Sequence, residues 1–348
     1  MINPVGQAPY VLMKAAIARV VSGQDLSEEQ AKQVMEIIME GKASPAQIAA
    51  FLTALRLKGE TVEEITGFAR VMRQKATTIS TTHSLVVDTC GTGGDDANTF
   101  NISTAAAFIL AGAGIPVAKH GNRSVSSRCG SADVLEALGI KVDLTAAQAA
   151  RCLNEIGIGF LFAPLFHEAM KYAAGPRREI GIRTVFNILG PLTNPANATA
   201  QIMGVYDLNL VPKIARVLVR LGVKNAFVFH GANGLDEISL TGPSYVAEVN
   251  KKEVKEYYLH PEEYGFSPVP LKDLAGGSSK ENAAIILEIL RGKKGAQRDV
   301  VILNAALGMI AGEVAGTIEE GVIAAKESID SGAALKKMEQ LRQYSISV

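Results

Sequence analysis

The run Val86-Val87-Asp88-Thr89-Cys90 empties into the turn Gly91-Thr92-Gly93-Gly94-Asp95. Glycines at that density let consecutive backbone N–H groups converge on one point and let an anion come close to the main chain. Beyond Thr99, the segment Asn101-Ile102-Ser103-Thr104 opens an apolar helical stretch over 105–111. A helix start with free N–H groups and hydroxyls is a phosphate site. Neither common nucleotide signature fits. No Gly-Lys-Ser/Thr closes the turn, Gly94 comes too early for a dinucleotide fingerprint, and Asp96 stands where its third glycine belongs. Asp95 and Asp96 repel a bare phosphate, so either Mg2+ forms part of the ligand or Asp95 turns toward a sugar hydroxyl.

A second cluster, Lys119-His120-Gly121-Asn122-Arg123-Ser124-Val125-Ser126-Ser127, follows a short apolar run and precedes the capped helix start Gly130-Ser131-Ala132-Asp133. Basic runs are usually solvated loops. Here glycine, serine and an amide are interleaved at a strand end, where α/β sheets place ligands. The third cluster, His230-Gly231-Ala232-Asn233-Gly234-Leu235-Asp236-Glu237, offers paired carboxylates, hard oxygens that suit Mg2+ shared with phosphate and water. Alone, such a pair reads as a surface turn. The fourth comprises His167-Glu168, Gly175-Pro176-Arg177-Arg178 and Asn187-Ile188-Leu189-Gly190-Pro191. An arginine fork there could clamp a carboxylate, although a surface ion pair is the commoner use.

Two kinds of element must position these clusters. Over residues 1–77 capping boxes at Ser27, Ser44 and Thr61 each open an amphipathic segment, and Gly41 and Gly59 stand where helices stop. This predicts a small all-helical domain. From Leu85 onward short apolar runs alternate with helical stretches. Strands are expected at 116–118, 159–163, 202–206 and 226–230, with a hairpin from 245–249 and 254–259. Helices are expected from Ser103, Ser131, Thr145, Leu210, Ser278 and Thr317. The alternation predicts a larger α/β domain with a central, mostly parallel mixed sheet. Gly175-Pro176 and residues 187–197 break the pattern. The expected division is a helical domain of 1–77 joined by an excursion around 177–197, and an α/β domain of 78–176 and 198–348.

Composition narrows the classes. The 35 basic and 35 acidic residues cancel, so no global field draws nucleic acid or an anionic membrane. Cys90, Cys129 and Cys152 are too scattered for a disulfide framework or a zinc set. No apolar run reaches the roughly 18–20 residues of a spanning helix, and no signal peptide is evident. The expected compartment is the cytoplasm.

With these clusters in hand, the sequence resembles the anthranilate phosphoribosyltransferases of the nucleoside-phosphorylase-like transferase family. The matching motifs are GTGGD (91–95), NIST (101–104), KHGNRSVSS (119–127), the Asp236-Glu237 pair and RTVFNILGPLTNPA (183–196). The chain departs from the family pattern at Glu168, at Pro176 and at Cys129, which lies beside Ser131. The resemblance implies a homodimer in tryptophan biosynthesis that transfers the phosphoribosyl group of phosphoribosyl diphosphate to anthranilate. It places Gly91, Gly93, Gly94, Asp95, Thr99, Asn101, Ile102, Ser103, Thr104 and Ser131, with residues 119–127, on substrate. Ser103, Asp236 and Glu237 match the Mg2+ ligands. Lys119, His120, Asn122 and Arg177 carry the catalytic assignments, with His167, Gly190 and Pro191 on the anthranilate side. Because an aniline amine is neutral at pH 7, the expected mechanism has no covalent intermediate and no indispensable base, with His120 available for the late proton. The alternatives are a pyrimidine nucleoside phosphorylase and a non-catalytic nucleotide- or nucleic-acid-binding paralogue.

Overall fold

The computed structural model describes residues 8–95, 97–124 and 128–348. Val125, Ser126, Ser127 and Asp96, all singled out above, lie outside the described residues. The chain forms two compact units: the chain up to Thr77 with His167–Thr193, and Thr78–Phe166 with Asn194–Val348.

The first unit is helical: α1 (Pro9–Val21), α2 (Glu28–Met39), α3 (Pro45–Lys58) and α4 (Val62–Lys75). Ser27, Ser44 and Thr61 each form a complete capping box, with Gln30, Gln47 and Glu64 reaching back. Glu64 is fully buried and also accepts the Leu26 N–H at 2.9 Å and Lys58 Nζ at 2.9 Å. One carboxylate thus ties the end of α3 and the entry to α2 to the start of α4. Phe51 and Phe68 meet edge to face at 6.1 Å in the bundle core.

The returning segment starts at His167 and ends at Thr193, whereas the sequence placed the excursion around 177–197. The reason is Pro176, read above as a break. It lies inside the helix Lys171–Ile180, which packs against α2 and α3. A proline removes one N–H from the helix ladder. Burial of Ala173 and Pro176 itself holds the helix together.

The second unit is built on seven strands: β1 (Val87–Gly91), β2 (Val117–Gly121), β3 (Ile158–Phe162), β4 (Ala200–Gly204), β5 (Asn225–His230), β6 (Ser244–Asn250) and β7 (Glu253–Leu259). Their order is β3-β2-β1-β4-β5-β6-β7, with β1 to β5 parallel and the β6–β7 hairpin antiparallel at one edge. This is the mostly parallel mixed sheet expected. The inner strands are buried, as parallel strands covered on both faces must be. β7 carries Glu253, Lys255 and Glu256, charges that discourage pairing with another chain.

The helix α5 (Ile102–Gly112) is buried along most of its length and packs against a second buried helix, Ala296–Ala311. That second helix was not foreseen. Its residues 300–303 and 305–307 have no exposed surface, so it is apolar all round and shows no period against a polar face.

Candidate active site

Three strand-end turns converge, and backbone amides are where they meet. Gly93 and Gly94 both have left-handed backbones, φ 65° and 73°, which glycine adopts without strain. The Gly93 N–H donates to Asp236 Oδ2 at 2.7 Å. The Ser103 N–H, at the start of α5, donates to Glu237 Oε1 at 3.1 Å. Lys119, 4 % exposed, directs Nζ at the Thr89 carbonyl, and lies 3.3 Å from both Thr89 Oγ1 and Ser103 Oγ. The ends of β1, β2 and β5 therefore share one cluster of a cation, two acids and a helix start.

Close approach explains two glycines. A Cβ on Gly91 would collide with the Asp236 carboxylate, and a Cβ on Gly204 with the Asp236 main chain. The turn after Glu237 is fixed from below. Asn304, on the buried helix 296–311, accepts the Ile238 N–H at 2.9 Å and donates to the Ile238 carbonyl at 2.9 Å.

The electrostatics are those of acids short of a cation. Burial raises the Asp236 carboxyl, and the neighbouring Asp95 charge raises it further. Glu237 is raised by burial and then by Asp236. Burial lowers Lys119, opposed first by the Asp88 charge. Asp95 Oδ1 accepts the Ala97 N–H, and the Asp95 carboxyl lies within hydrogen-bond reach of Asp236. Among the described residues no three His, Cys, Asp or Glu side chains are set to hold a metal by themselves. Mg2+ seldom needs such a cage, since it keeps waters and takes oxygens from substrate phosphates. Asp95, Asp236 and Glu237, three acids crowded on one another with burial raising the last two, are a set that fits it.

The second turn is organised largely from within. Asp88 Oδ1 accepts the His120 N–H at 3.1 Å. Asp133 accepts the Ser124 and Gly130 N–H groups at 3.0 and 2.8 Å. Arg123 forks onto Glu136 at 2.6 and 2.7 Å and reaches Asp133 at 3.2 Å, so its charge is already met by the following helix. Asn122 is exposed, and its carbonyl oxygen accepts from Ser131 Oγ at 3.2 Å. Gly121 has Ser131 Oγ and the Phe160 ring where a Cβ would sit. Asn101 donates to the Cys129 carbonyl at 3.1 Å and accepts from Asn282 at 3.0 Å. Thr99 bridges to Ala275. Ile102 and Thr104 are buried, which leaves the α5 start to act through backbone and Ser103.

His167, Arg177, Gly190 and Pro191 belong to the helical unit. The Arg177 guanidinium stands 5.1 Å from the Phe186 ring centre, and burial lowers its pKa. His167 is 8 % exposed and burial pulls its pKa down to about 4. Sequence reasoning quoted Asp88 and Asn194 within motifs but gave them no role, and missed Asn282 and Asn304; the partners of all four come from distant stretches.

The chain is similar to known proteins over nearly its whole length. Residues 83–335 match the α/β domain of a glycosyl transferase family, and residues 14–76 match its helical bundle domain. The anthranilate phosphoribosyltransferase of Pelotomaculum thermopropionicum is 64 % identical over 334 residues, 96 % of this chain and 97 % of that protein. The crystal structure of anthranilate phosphoribosyltransferase from Thermus thermophilus is 42 % identical, with a TM-score of 0.91 over 95 % of this chain and 99 % of that one. The Saccharomyces cerevisiae enzyme in complex with PRPP and Mg is 28 % identical, with a TM-score of 0.89 over 97 % and 99 % of the two chains.

Proposed function

The chain belongs to the anthranilate phosphoribosyltransferases of the glycosyl transferase family, and from that premise we propose how its strand ends perform the transfer. The reaction moves the phosphoribosyl group of phosphoribosyl diphosphate to the amine of anthranilate and releases diphosphate, a step of tryptophan biosynthesis. The observation that carries our assignment of the site is the convergence of Gly93, Ser103, Lys119, Asp236 and Glu237.

Anthranilate's amine keeps its lone pair at neutral pH, so activating the nucleophile is a small demand. The barrier lies in expelling diphosphate while positive charge grows on the ribose. Fixed donors aimed at the leaving group meet that demand. The N–H groups of Gly93 and Ser103 and the Lys119 ammonium are such donors. Two of them now hold carboxylates, so an arriving diphosphate takes over donors already tuned for an anion. Asp236, Glu237 and Ser103, with Asp95 adjoining, would hold Mg2+, which when bound supplies charge for the departing diphosphate. Arg177 grips the anthranilate carboxylate with its fork, and His120 is available for the proton the amine sheds late.

The same reading includes a homodimer. Three buried cysteines, none in a disulfide among the described residues, fit the reducing cytoplasm. No helix of the described residues is long and apolar enough to cross a membrane.

The test is direct. Protein, phosphoribosyl diphosphate, Mg2+ and anthranilate are mixed and anthranilate fluorescence is followed; it is expected to fall with time. Constant fluorescence, with phosphorolysis of uridine or thymidine in inorganic phosphate, would overturn the assignment in favour of a nucleoside phosphorylase.

A further inference from the structure

Between β1 and β2 the ladder is one rung long. Val87 faces Val117, and the Val87 N–H donates to the Pro116 carbonyl at 2.9 Å. On its other side β1 pairs with β4 from Val87–Ala200 through Gly91–Gly204, and β2 pairs with β3 from Val117–Ile158 through Gly121–Phe162. The gap is therefore local to one edge of two otherwise fully paired strands. A parallel ladder continued by one rung would set the His120 N–H on the Thr89 carbonyl and the Thr89 N–H on the Ala118 carbonyl.

Side chains meet three of those four groups. The His120 N–H donates to Asp88 Oδ1 at 3.1 Å, the Thr89 carbonyl accepts from Lys119 Nζ, and the Ala118 carbonyl accepts from Asn194 Nδ2 at 2.8 Å. Asn194 is itself held by the Ala196 N–H, which donates to its Oδ1 at 2.8 Å. Asp88, Lys119 and Asn194 are 0, 4 and 3 % exposed. Buried backbone groups must be paired, so without these side chains the two strands would have to close on each other. Closure would draw Lys119 and the turn after it out of reach of Ser103 and the 91–95 turn.

We propose that Asp88 and Asn194 are positioning residues that hold β1 and β2 apart and thereby set where Lys119 and the 120–124 turn stand. The inference rests on reading these strand ends as the phosphoribosyl diphosphate site. Neither residue touches substrate in this proposal; each acts through the backbone of β2.

Full-length Asp88→Ala, Asp88→Asn and Asn194→Ala are compared with the parent by hydrogen exchange and by steady-state kinetics. In both alanine variants the peptide spanning 117–124 should exchange about tenfold faster, while the reference peptide 225–230 in β5 stays within about twofold. The KM for phosphoribosyl diphosphate should rise about tenfold, and that for anthranilate should stay within about twofold. Asp88→Asn keeps an acceptor oxygen for the His120 N–H and should restore both readouts. Unaltered exchange over 117–124, equal rises in both KM values, or an asparagine as damaging as alanine would each overturn the proposal. If Asp88→Ala does not fold, Asn194→Ala reads the same gap from the other carbonyl. A parent protein that shows no transfer removes the functional reading, whereas the exchange response decides the positioning role independently.

Discussion

At the scale of single residues, the candidate site is held together by two buried acids sitting on backbone donors. Asp236 accepts the Gly93 N–H and Glu237 the Ser103 N–H, and on the proposed reading these are the donors that diphosphate takes over. The task proposed for Arg177 is different, a fork that closes on a carboxylate. Arg177→Ala should raise the KM for anthranilate by about 10- to 100-fold and that for phosphoribosyl diphosphate by less than about twofold. Equal effects in steady-state assays would take the carboxylate away from it. His167 supplies a pH signature. Burial lowers it from 6.5 to about 4, so between those values the unfolded chain binds the proton and the folded chain does not. Its contribution is complete above about pH 6.5 and is lost as pH falls toward 4, at most about 3 kcal/mol. Urea unfolding at pH 7 and pH 4.5 should show a smaller loss for His167→Gln than for the parent, and parallel losses would exclude the effect.

At the scale of elements, the close passage of β1 and β4 beside the Asp236 turn sets the tolerance for side chains. At Gly204 an added methyl meets the backbone of Asp236, which cannot swing aside; at Gly91 it meets the end of the Asp236 side chain, which can. Gly204→Ala should therefore cost about 1–3 kcal/mol in denaturant unfolding. Gly91→Ala should cost clearly less stability while raising the Mg2+ needed for half-maximal activity, because it dislodges the carboxylate. The reverse order of stabilities would contradict the contacts described. The helix 296–311 is equally an element of the site, since Asn304 clamps the residue that follows Glu237.

At the scale of the whole molecule, the α/β unit depends on two apolar helices packed on each other and on the sheet. Leu307 has no exposed surface, and the adjoining Gly308 lets the Leu110 side chain of α5 lie against the helix. Leu307→Ala should lower stability by about 2–5 kcal/mol, the range for a buried leucine that leaves a cavity. Calorimetry measures it, and a loss below about 1 kcal/mol would mean that the core collapses around the gap. The helical unit is closed by residues 167–193, so the chain leaves it after Thr77 and comes back to it once.

Much of this was legible beforehand. Ser27, Ser44 and Thr61 announced α2, α3 and α4 because a capping box acts over three residues and leaves its whole signature in the chain. The alternation after Leu85 announced a mostly parallel sheet, and the glycine-rich turns it pointed to do stand at strand ends. What stayed hidden has a common cause. Helix 296–311 is buried on every side, so it has no polar face to give it a period. Pro176 reads locally as a break and is overruled by packing against α2 and α3. The sequence by itself determined the elements and the kinds of chemistry available, since caps, periods and turns are short-range properties. Only the tertiary structure decided that Asp88 meets His120, Asn194 meets Ala118 and Glu237 meets Ser103, because those partners are brought together by strand order and by a chain that returns from far away.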